Sequence, residues 1–152
     1  MYEMVLFLHS WLRWAALAAG VAATVTAFAM KPVSYGSERT DRFGLIFMIV
    51  LDLQLLLGLV LYFGLSPFTP AAFDNFGAAM RNPVARFWAV EHIALMLLAV
   101  VLAHLGRVLA RKARTSQSKR LRLLVCFGLA TIAMFAGTPW PGMSVVRPLF
   151  RV

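Results

Sequence analysis

Arg86-Phe87-Trp88-Ala89-Val90-Glu91-His92 sets an acid and a histidine side by side, a few residues inside an apolar run that continues to about Ala110. At about 1.5 Å per helical residue, that run is long enough to cross a hydrocarbon core of roughly 30 Å. Ionisable groups at such depth are costly unless they pair, face a polar interior or hold a ligand, so Glu91 and His92 mark a candidate functional site. The rest of the chain is read by asking what these two residues meet.

Composition defines their surroundings. The 152 residues are 61% hydrophobic, with a mean hydropathy of +0.79, well above the roughly 45–50% apolar content of soluble domains. A membrane protein is expected. Fifteen Lys and Arg against six Asp and Glu give a net charge of +9. The basic residues gather in short links beside apolar spans, where they signal orientation and attraction to anionic lipid headgroups; nucleic-acid binding is not expected. The single cysteine, Cys126, allows no internal disulfide, and without a Cys-x-x-Cys-His run covalent haem attachment is excluded. Ala27-Phe28-Ala29 imitates a signal-peptide cleavage site, but Glu3 stands where a basic segment belongs, so the first span is expected to be retained.

Four spans are expected, at about 5–30, 43–63, 84–110 and 121–138, in one transmembrane domain covering 1–152. Pro32 breaks the first helix, and Ser37 or Thr40 is positioned to cap the second. Thr69-Pro70 and Asn82-Pro83 bracket a segment carrying Phe73, Phe76 and Met80, expected as one short amphipathic helix at the bilayer surface. Asn82 and Pro83 form an N-cap and N1 pair for span three. Pro139-Trp140-Pro141-Gly142 stops span four, leaving a tail with Arg147 and Arg151. The fold class is all-α: an integral membrane, antiparallel four-helix bundle with an interfacial helix between spans two and three. The stretch from Arg107 to Arg122, together with Lys31, Arg39 and Arg42, assigns one side to the cytoplasm of a bacterial inner membrane and both termini to the periplasm.

Depth counting brings His9 and His92 to one layer near the outer side, with Arg13, Asp52 and Gln54 slightly deeper. Two histidines at one level on different helices are what a bis-histidine b-type haem requires, each supplying an axial nitrogen. Small residues on the same faces, Ala16, Gly20 and Ala23 behind His9 and Ala99, Ala103 and Gly106 behind His92, leave room for a porphyrin. Arg86, Arg81 or Arg147 would meet its propionates, and Arg13 is suited to an ion pair with Asp52.

The segments Leu8-His9-Ser10-Trp11-Leu12-Arg13-Trp14, Asp52 to Tyr62, Arg86 to His92 and Pro139-Trp140-Pro141 resemble a family of small four-helix bacterial membrane proteins labelled cytochrome b-like. The resemblance runs through nearly the whole chain. It implies His9 and His92 as the shared histidines and adds no substrate.

Other readings remain open. In the plainest reading each histidine is only a hydrogen-bonding group between helices or toward interfacial water. Glu91 suits an ion pair with Arg13 or Arg86, a role orienting His9, or proton transfer, the ion pair being favoured. His104 lies twelve positions beyond His92, well off its face at about 100° per residue, and is expected at the interface. A second haem there would have only Met48 or Cys126 as a further ligand. The tryptophans suit an aromatic belt. Besides haem-mediated electron transfer with a quinone or partner subunit, the sequence admits an accessory subunit of a larger membrane complex, a homodimer, and a metal site or proton-coupled carrier using His9, Glu91 and His92. Whether the chain is an enzyme is left open.

Overall fold

The computed structural model describes residues 1–31, 38–145 and 148–150, and every regular element among them is helical. Four long helices dominate: α1 (Tyr2–Phe28), α2 (Glu38–Val60), α6 (His92–Arg111) and α7 (Ser116–Ala136). The connection from α2 to α6 carries α3 (Phe68–Asp74), α4 (Phe76–Arg81) and α5 (Pro83–Arg86). Two wider π-helical turns interrupt the regular ladder, Leu61–Leu65 extending α2 and Phe87–Glu91 joining α5 to α6. With those turns included, Tyr2–Phe28, Glu38–Leu65 and Pro83–Arg111 are long and apolar enough to cross a membrane, compatible with a multi-pass membrane protein. The expected fourth span differs. α7 starts earlier, at Ser116 behind the Thr115 cap, and keeps Lys119, Arg120 and Arg122 in its first turns, so it falls short of the apolarity of the other three.

The long helices alternate in direction, as hydrogen bonds at their ends show. Arg120 Nε at the start of α7 donates to Phe28 O at the end of α1, while Thr40 Oγ1 at the start of α2 donates to Thr26 O. Arg107 near the end of α6 donates to Asp41 O, and Arg122 of α7 donates to Leu109 O. Arg120 and Arg122 thus satisfy carbonyls that helix C-termini leave open, whereas Arg107 reaches the first turn of α2. α1 packs on α2 and α7, and α6 packs on the same two, so α1 and α6 stand diagonally across the assembly.

The core at the basic end is close-packed. Phe47 of α2 meets Phe127 of α7 edge to face at 5.7 Å, surrounded by Ala16, Ala23, Ala99, Ala103 and Ala130. A Cβ on Gly20 would stand 2.7 Å from Thr131 Oγ1, and one on Gly106 would stand 2.7 Å from Cys126 Cβ. The small-residue stripes therefore admit neighbouring helices, which corrects their expected use as space for a porphyrin, and Cys126 is packing.

Three local expectations are also corrected. Thr40 is buried within α2 and bonds across to α1 instead of capping, while Pro32 and Ser37 lie outside the described residues. The surface helix is two helices, because Asn75 breaks it and caps α4 by accepting from Ala78 N. The Asn82 cap is present, its side chain accepting from Val84 N and Ala85 N with Pro83 at N1. What the sequence pattern does not reveal is the π-helical turn that follows.

Candidate functional site

That turn decides what Glu91 and His92 face. His92 N–H reaches back five residues to Phe87 O, and the wider pitch brings side chains five apart onto one face. Arg86 Nε consequently donates to Glu91 Oε1 at 2.6 Å, a pairing that a regular helix would hold roughly 140° apart. Arg86 also donates to Met80 O. Opposite, Tyr62 in the other π-helical turn donates its hydroxyl to Ala89 O at 2.7 Å and so ties the two turns together. Tyr62 was not a candidate from sequence; an aromatic with a polar tip at a helix end reads equally well as belt.

His92 projects inward with the Phe87 and Trp88 rings beside it, at 5.9 and 5.5 Å. Its Nδ1 lies 2.7 Å from Gly137 O at the end of α7. A carbonyl only accepts, so Nδ1 carries the hydrogen and Nε2 presents a lone pair. Across the diagonal on α1, His9 reaches a ring-centre separation of 6.3 Å from His92, with the planes 72° apart. The Gln54 side-chain nitrogen donates to His9 O at 3.0 Å and approaches His9 Nε2 at 3.3 Å. An amide nitrogen only donates, so His9 also presents its lone pair at Nε2 and carries its hydrogen on Nδ1. That Nδ1 and Gln54 Oε1 are buried without a hydrogen-bond partner among the described residues, although Gln54 is only 5% exposed. Orphaned buried polar atoms of this kind call for a ligand or water.

A cavity of about 130 Å³ opens between these groups. Along α1 its lining runs from Tyr2 to Leu17, about 22 Å at the helical rise. His9, Arg13, Gln54, Tyr62 and His92, with the hydroxyl-bearing Tyr2, Ser10, Ser66, Thr69 and Thr138, supply polar groups in mostly apolar walls that include Met96 and Met134.

The other sequence candidates go elsewhere. Arg13 lines the cavity but donates to Leu149 O at 2.7 Å, where the Trp14 indole N–H joins it and Phe150 stacks on Trp14. The expected Arg13–Asp52 ion pair gives way to Asp52–His104, with oxygen and Nε2 3.4 Å apart. His104 Nδ1 lies 3.0 Å from Val100 O, so this half-exposed histidine bonds to α2 and to its own helix. Glu91 and Asp52 thus leave the network expected with Arg13 and Gln54. Arg86 and Arg81 do not line the cavity, and Arg147 and Arg151 lie outside the described residues. With Glu91 turned to Arg86, the alternative metal site of His9, Glu91 and His92 does not form, and no cluster of three His, Cys, Asp or Glu suited to a metal occurs among the described residues.

These features define an all-helical protein, compatible with several membrane passages, with two facing imidazoles at one end of its core. No protein-family model, curated protein or solved structure matches the chain.

Proposed function

We propose that this chain is a b-type haem protein of the bacterial inner membrane, held through His9 and His92 and passing electrons to or from a quinone or a partner subunit. The observation that carries the reading is the pair of facing imidazoles, each with its Nε2 lone pair free of hydrogen. Metal–imidazole bonds of about 2 Å, with about 1.1 Å from nitrogen to ring centre on each side, put two rings about 6 Å apart across one metal. The separation here is 6.3 Å. His92 Nδ1–H bonded to Gly137 O is the outer hydrogen bond that orients metal-binding histidines.

When bound, haem supplies reversible one-electron chemistry at its iron. His92, anchored at Nδ1 by Gly137 O, and His9, whose Nε2 now meets only the Gln54 amide, would hold the iron. Arg13, the only arginine among the described cavity-lining residues, replaces Arg86 as the cation for a propionate. The cavity is smaller than a porphyrin, and the side chains on its wall, Met96 and Met134 among them, would have to move to admit the ring. The resemblance to cytochrome b-like proteins points the same way.

In this reading α7 is the fourth span of an antiparallel membrane bundle. Its Leu129, Ile132 and Phe135 are exposed as lipid-facing residues would be, while Lys119, Arg120 and Arg122 sit at the headgroup level. The exposed Arg111, Lys112 and Arg114 would meet anionic headgroups on the cytoplasmic side, with both termini periplasmic. The test is the visible spectrum of protein purified from haem-sufficient cells. A Soret band with resolved α and β bands on reduction is expected, lost in His9→Ala and His92→Ala variants that still fold. A colourless wild type refutes the reading.

A further inference from the structure

An acid and a base stand on the outside of the bundle at a depth where lipid would surround them. Asp41, at the basic end of α2, is held by Lys119 and Arg107. Asp52 lies about 16 Å farther along the same helix, well inside its apolar length. The Asp52 and His104 side chains are each 43% exposed, and their contact of 3.4 Å is longer than an ordinary hydrogen bond. His104 Nδ1 donates to Val100 O, which leaves only Nε2 to meet Asp52. Polar groups exposed to hydrocarbon are costly and ordinarily face protein. The surface around this pair is apolar, with Ile49 and Leu56 of α2 and Val101 and Val108 of α6 all exposed.

We infer that this α2–α6 face binds a second copy of the chain, related by a two-fold axis along the membrane normal. The inference rests on the membrane-bundle part of the reading above and needs no haem. A two-fold interface sets one patch against itself. An axis along the normal keeps every residue at its own height and exchanges left for right, so α2 of one copy stands against α6 of the other. Asp52 and His104 already share a height, as their contact within one chain shows. Each Asp52 therefore faces the His104 of the other copy, and two acid–base pairs close across the interface.

The apolar rows match in the same way. Because α2 runs away from the basic end and α6 runs toward it, Leu56 and Val101 both lie about one turn beyond the pair, and Ile49 and Val108 about one turn before it. This charge complementarity selects the occupant. An unrelated protein would need a base opposite Asp52 and an acid opposite His104 at the same spacing, whereas a second copy brings both.

The test is co-purification, in mild detergent, of two differently tagged copies expressed together. Wild-type copies should be recovered as a particle of two chains. Asp52→Ala and His104→Ala should each weaken association with themselves. A mixture of the two variants restores one pair across the interface, so it should associate about three- to twentyfold more tightly than either variant alone, the range one interhelical hydrogen bond supplies in a membrane. A pair acting only within its own chain gives no such rescue. Val101→Trp leaves the pair intact and suits lipid but not a close-packed neighbour, so it should yield single chains that keep their helical content.

Wild-type chains that are membrane-bound yet single overturn the inference. So do variants that associate as well as wild type, a mixture without rescue, or a different membrane protein found in place of the second copy. The pigment is read separately: a colourless dimer removes the haem reading alone, and a pigmented monomer removes this inference alone.

Discussion

Replacing Gly137 by alanine tests the contact that aims His92. Gly137 has φ −82° and ψ 0°, a conformation alanine adopts freely, so the effect is steric. The new methyl group would meet Met96 Cε at 2.5 Å, Leu95 Cβ at 3.2 Å and Ala133 O at 3.3 Å. Carbon atoms prefer about 3.5–4.0 Å, so the Met96 methyl must move by at least about 1 Å, which a flexible thioether permits. Leu95 Cβ is fixed to its backbone, so α6 must withdraw from α7 by roughly 0.3–0.5 Å. That stretches the His92 Nδ1–Gly137 O bond from 2.7 Å to about 3.1 Å, still inside the hydrogen-bonding range but weaker. Overpacking of this kind costs about 1–3 kcal/mol, and the low half of that range is expected because one of the three contacts can rotate away. Reversible denaturant unfolding in detergent measures the loss. A second substitution, Met96→Ala, should recover about 0.5–1 kcal/mol of it in a double-mutant cycle. An unchanged unfolding midpoint together with an unchanged His92 ring hydrogen bond by NMR would refute the packing described here.

Two further substitutions probe the frame around the site. Gly106→Ala puts a methyl group 2.7 Å from Cys126 Cβ, which cannot rotate aside; a destabilisation of about 1–3 kcal/mol is expected, and Cys126→Gly should relieve part of the clash. Across the π-helical turn, Arg86→Gln and Glu91→Gln should couple by about 0.2–1 kcal/mol, as partly exposed ion pairs do. Zero coupling in the double-mutant cycle would mean that the pair adds nothing to the stability of the turn.

The sequence determined the helical class, the three long apolar helices and the Asn82 cap, because each depends on residues close together in the chain. Hydropathy is summed over consecutive residues, and a cap acts over three or four positions. Sequence also singled out His9, Gln54 and His92, because polar side chains inside apolar runs are conspicuous. Their partners were another matter. Asp52 pairs with His104 instead of Arg13 through side-chain reach, while Glu91 takes Arg86, one of the two arginines the sequence offered it, because a π-helical turn brings positions five apart onto one face. Gly137 entered the site only because α7 ends beside His92, and Tyr62 only because two distant turns meet. The small-residue stripes, legible as places of close approach, did not reveal what approaches. Which helix fills such a stripe depends on all four packing at once, a property of no single segment.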